Sequence, residues 1–144
     1  MIGHCPMNDR EFIAAFEACE IANSEFHHAD HIRLAWLYLR EFALLDAIER
    51  FTASLRRFAA HHGKAERYHE TVTWAYMLLI HERMVERSSF EDFRAANPDL
   101  FSWKPSILEG YYRADTFASE RARQTFVMPD RNLEGLAVRR SRSE

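Results

Sequence analysis

The stretch LDAIERFTASLRRFAAHHG, residues 45–63, decides the fold class. Ile48, Phe51, Leu55 and Phe58 recur three or four residues apart, the spacing that puts apolar side chains on one face of a helix. Gly63 follows where glycine is favoured after a helix end. The spacing predicts a helix over about Leu45–His62. Working backwards, a tight connection leads to a second helix over about Glu25–Phe42, with Ser24 as its cap. Before that, Asn8 and Glu11 form a capping-box pattern. The helix they open is expected to run to about Ala22, burying Phe12, Phe16 and Cys19. Working forwards, a fourth helix is expected over about Ala65–Arg87. Ser89 opens a short fifth containing Asp92 and Phe93, and Asn97-Pro98 stops it. Pro105 suits the first turn of a short helix through Leu108 and Tyr112. Another is expected over about Thr116–Phe126, ended by Pro129-Asp130. No strand alternation of convincing length is present. The expectation is an all-α fold: a compact helical bundle of four main helices plus two or three short C-terminal helices.

Composition agrees. Only four Gly and four Pro occur in 144 residues, few for the turns of an all-β chain. A 47% hydrophobic and 13% aromatic content excludes a disordered chain. The length suits a single helical domain, expected over 8–130, between a flexible N-terminal tail, 1–7, and a mobile basic tail, 131–144. A net charge of −3 argues against a nucleic-acid partner. No stretch reaches the ~18 uncharged apolar residues of a membrane span, and the start lacks a signal-peptide pattern. Cys5 and Cys19 form no CxxC, so a reduced, cytoplasmic protein is expected. No Gly-rich phosphate loop or GxSxG elbow points to nucleotide binding or serine hydrolysis.

The histidines carry the chemistry. On a helix at about 100° per residue, His28 shares a face with Ile32, Ala35, Leu39 and Phe42, and His31 lies on the flank of that face. His27 is turned towards solvent. His69 shares a face with Val72, Thr73, Tyr76 and Ile80 on the fourth helix. If the second and fourth helices run parallel, His28, His31 and His69 stand at one level. Three imidazoles form a ligand set that leaves a coordination position open. The expected metal is a divalent transition ion, zinc first, with iron, copper or nickel as the others. The competing interpretation is a metal-free network of hydrogen-bonded histidines. Glu25 is a candidate fourth ligand, a partner to a histidine N–H, or a first-turn carboxylate placed by the helix dipole. Glu70, Glu25 and Tyr68 are the candidate proton carriers. His62 follows the inward stripe of the third helix and is a minor fourth-ligand candidate. His61 and His62 also suit a helix C-terminus.

Phe26-His27-His28-Ala29-Asp30-His31 and Tyr68-His69-Glu70-Thr71 resemble the F-x-H-x-D-H and Y-H-x-T motifs of small uncharacterised all-helical bacterial proteins. Phe126-Val127-Met128-Pro129-Asp130 is similar to their C-terminal end. The resemblance spans about residues 10 to 131. It implies an all-helical single domain and marks His28, His31 and His69 as matching positions. It implies no reaction, and it leaves Glu25 and His27 outside its pattern.

Three functions follow. The first is a metal-dependent enzyme acting on a small-molecule substrate, hydrolytic or oxygen-dependent, in which the metal lowers the pKa of bound water or polarises a carbonyl. The second is a metal-binding or sensing bundle without chemistry. The third is a metal-free helical interaction module. A homodimer is compatible with all three, since aromatics at this density also build subunit interfaces.

Overall fold

The computed structural model describes residues 8–131, so the segments read as tails, 1–7 and 132–144, lie outside the described residues. The fold is all-α. Among the described residues there are seven α-helices, several short 3-10 turns and no strand. The chain divides after Tyr68 into two compact units.

The first unit holds α1 (Asp9–Glu17), α2 (His28–Glu41) and α3 (Leu44–His61), with 3-10 turns at Asn23–Glu25 and Ala65–Arg67. The Asn8 side chain accepts the Glu11 N–H at 2.8 Å, and the Glu11 carboxylate accepts the Asn8 N–H at 3.1 Å, the reciprocal cap expected of that pair. α1 is shorter than expected. It stops at Glu17, and Cys19 turns left-handed with φ 59°, so Cys19 is not on the inward stripe of that helix. α3 lies within one residue of its expected bounds, and Gly63 follows with φ +70°, a conformation that costs glycine little.

α1 packs on both α2 and α3, and α2 pairs most extensively with α3. Phe12, Phe16, Tyr38, Ile48, Phe51, Leu55 and Phe58 are buried. α2 buries more than the single stripe read from its sequence: Leu34, Trp36 and Leu37 are as buried as Ile32 and Ala35. A helix apolar on most of its circumference is one that the fold covers. Its arginines are held over rings, Arg33 on Phe12 and Arg40 on Trp36, and both reach Asp9. Tyr38 donates to Glu17 at 2.5 Å, and burial together with that carboxylate pushes its phenol pKa far up.

These positions set a comparison. Leu39→Ala should destabilise by about 2–5 kcal/mol, because Leu39 is 7% exposed and its removal leaves a void. Arg40→Ala should cost less than about 1 kcal/mol, since its ion pair with Asp9 is solvent-exposed. Thermal melts that rank the two variants equally would contradict this placement of α2.

The second unit holds α4 (Glu70–Arg83), α5 (Phe90–Ala96), α6 (Ala114–Phe117) and α7 (Glu120–Gln124), with 3-10 turns at Pro98–Phe101 and Ile107–Gly110. Ser89 caps α5 through the Asp92 N–H at 3.1 Å. Pro105 does not begin a helix: Ser106 after it caps the Ile107–Gly110 turn. The single helix expected over Thr116–Phe126 is instead two, α6 and α7, because Ser119 caps a fresh start at Ala122 N–H, 3.1 Å away. α7 packs on α4. The Thr71 hydroxyl, fully buried, donates to Thr125 carbonyl at 2.7 Å and accepts from Val127 N–H at 3.0 Å. It pins the extended segment that follows α7. Asp130 ties the same segment back by accepting from Arg113 N–H at 2.8 Å and from the Thr116 hydroxyl.

Candidate metal centre

The head of α2 is built from its cap outward. α2 begins at His28, later than the sequence pattern placed it. Ser24 is not its cap, for it lies in the Asn23–Glu25 turn. His27 is the N-cap, in extended conformation, and its N–H donates to the Asp30 carboxylate at 2.9 Å. An acidic group in the first turn is also favoured by the helix dipole. Glu25, expected on the α2 face with His28, ends the preceding 3-10 turn instead and is exposed. His27 is exposed, as its expected outward direction requires.

His28 and His31 therefore occupy the first and fourth positions of α2, one turn apart. Both are half-buried. The His31 ring packs against Phe26 with ring centroids 4.2 Å apart, and Phe26 in turn stands 4.7 Å from Phe58. Among the described residues no hydrogen bond reaches the His31 imidazole. Burial, and then the proximity of His28, lower the pKa of His31 to about 4. His31 is thus a neutral imidazole at physiological pH, the form that binds a metal ion.

A pH dependence follows with a definite sign. The unfolded chain takes up a proton at His31 near pH 6.5, while the folded chain resists it down to about pH 4. Stability from this group is therefore complete above pH 6.5 and declines as pH falls towards 4. The loss should be on the order of 2 kcal/mol, after allowing for the part of the residue that meets solvent. Urea midpoints of wild type and His31→Gln, measured from pH 7 to pH 4, check it: the decline should flatten in the variant.

His69 is placed differently from its expected position inside a helix. It is the N-cap of α4, extended at φ −131°, ψ 109°. Its Nδ1 accepts the Val72 N–H at 3.2 Å, and its Nε2 lies 2.9 Å from the Phe117 carbonyl oxygen. A carbonyl can only accept, so Nε2 carries the proton and Nδ1 is the acceptor. Both ring nitrogens are engaged within the second unit. Thr73, one turn on, donates its hydroxyl to the His69 carbonyl at 2.8 Å.

Of the candidate proton carriers, Glu70 is the first residue of α4 and Tyr68 lies under the Arg56 guanidinium, 4.6 Å from its ring centroid. His62 is the C-cap of α3, its Nε2 3.1 Å from the Ile21 carbonyl oxygen. His81 is exposed. Among the described residues, no group of three or more His, Cys, Asp or Glu side chains is gathered closely enough to hold a metal ion. The sequence pattern missed the caps formed by His27 and His69 and the pin formed by Thr71. The acidic residue three positions after His27 is the one signal that could have found the first of these. No family model, curated protein or solved structure matches the chain. Among the described residues no helix is long and apolar enough to cross a membrane.

Proposed function

We propose that the protein is a small cytoplasmic helical metalloprotein that takes a divalent transition metal through His28 and His31 and uses the open coordination positions for a small-molecule substrate. The observation that carries this is the His31 imidazole: neutral, half-buried, free of hydrogen bonds among the described residues, and one helical turn from His28. Imidazole nitrogens suit zinc, copper, nickel and iron rather than the hard ions that prefer oxygen. Glu25, Glu70 and Tyr68 remain the candidate proton carriers for hydrolytic or oxygen-dependent chemistry.

The engagement of both His69 nitrogens favours a second reading, a helical protein whose histidines are structural and bind no metal. One measurement separates the two. Wild-type protein purified without a histidine tag, loaded in turn with zinc, iron, copper and nickel and then desalted, should retain one metal under the first reading. Retention of none assigns the histidines to the fold.

A further inference from the structure

His31 has no hydrogen-bonded partner among the described residues to orient its ring, which is the usual way a ligating imidazole is held. The torsion that turns an imidazole about its Cβ–Cγ bond is soft, so something else must set the ring plane. Phe26 is in that position. Its backbone is extended, φ −105° and ψ 94°, between the Asn23–Glu25 turn and the His27 cap, outside any helix. From there its ring meets His31 with centroids 4.2 Å apart and planes tilted by 35°. The other ring contacts of Phe26 are core: Phe58 at 4.7 Å, itself 3% exposed, and Phe16 at 5.5 Å, itself 0% exposed. The imidazole thus rests on a ring that the core of the first unit holds still.

We infer that Phe26 is a positioning residue, whose ring fixes the plane of the His31 imidazole and so the direction in which His31 presents its nitrogen lone pair. The inference rests on the proposed metal-binding role of His28 and His31. Phe26→Leu keeps apolar volume but removes the flat face, and Phe26→Tyr restores it.

The test uses the full chain and has a metal-free arm and a metal arm. In metal-free wild type, the His31 ring protons should be shifted by the Phe26 ring current in NMR spectra and show contacts to Phe26. In Phe26→Leu the nuclear Overhauser contacts of those protons to residues other than position 26 should average over more than one ring orientation, a readout that loss of the ring current alone does not move, and in Phe26→Tyr they should return to the wild-type pattern. With copper(II) as probe, Phe26→Leu should bind at least tenfold more weakly and show an altered EPR spectrum, while Phe26→Tyr matches wild type. Leu39→Ala is the control for stability alone: it should lower the melting temperature without weakening copper binding. An unchanged pattern of His31 ring contacts to residues other than position 26 in Phe26→Leu overturns the inference. So does a reoriented ring with undiminished copper affinity. Wild type that binds no copper overturns the metal role that the inference serves. The metal-free arm still reports whether Phe26 orients the ring, so the two failures are distinguishable.

Discussion

Phe16→Ala should cost the first unit about 3–5 kcal/mol. Phe16 is fully buried and is the hub of the aromatic core. Its ring stands 5.5 Å from Phe26, 5.9 Å from Phe51, 5.5 Å from Phe58 and 6.5 Å from Tyr38. Truncation removes the transfer free energy of a benzyl group and leaves a void lined by rings, which cannot collapse without leaving their own contacts. α1 has nine residues and too few turns to be stable alone, so its hold on α2 and α3 depends on Phe12 and Phe16. Urea unfolding followed by circular dichroism measures the loss. Leu45→Ala serves as comparison: Leu45 is 74% exposed, and its truncation should change stability by less than about 0.5 kcal/mol. Equal midpoints for the two variants would place the core elsewhere.

The helices that were legible in the sequence are those with apolar periodicity and a strong terminal signal. α3 has both, with Ile48, Phe51, Leu55 and Phe58 on its buried face and Gly63 just beyond. The starts of α1 and α5 were legible because Asn8 and Ser89 are strong caps. The starts of α2 and α4 were not. Ser24 ranks above histidine as a cap by intrinsic preference, yet the chain takes a 3-10 turn at Ser24 and starts the helix at His28, with the Asp30 carboxylate meeting the His27 N–H. α4 likewise starts only after His69, whose imidazole stands in for the usual hydroxyl or carboxylate. A helical wheel carried back to His69 therefore runs past the end of the helix. The consequence is unequal. His28 and His31 keep the mutual spacing that a helix gives them, whereas the direction of His69 comes from a cap and from the Phe117 carbonyl, a contact 48 residues away in sequence that no local pattern contains.

Metal retention is where the largest functional effects are expected. Wild type should hold one divalent ion after desalting, and His28→Ala and His31→Ala should each lose most of it, because one imidazole fewer leaves a poor chelate. Nitrogen–metal distances of about 2.0–2.2 Å by X-ray absorption would identify zinc on imidazole. His27→Ala and His81→Ala should retain the ion, as both side chains are exposed. His69 needs a finer substitution. His69→Ala removes the cap of α4 and the bond to Phe117 together, and should destabilise by about 1–2 kcal/mol whether or not metal is present. His69→Asn leaves an oxygen that can accept the Val72 N–H, so α4 keeps its cap while the imidazole is gone. With ligation through His28 and His31, His69→Asn keeps the metal with little change in melting temperature. Loss of metal in His69→Asn would contradict that ligand set. Acid should release the ion as protons compete for the imidazoles.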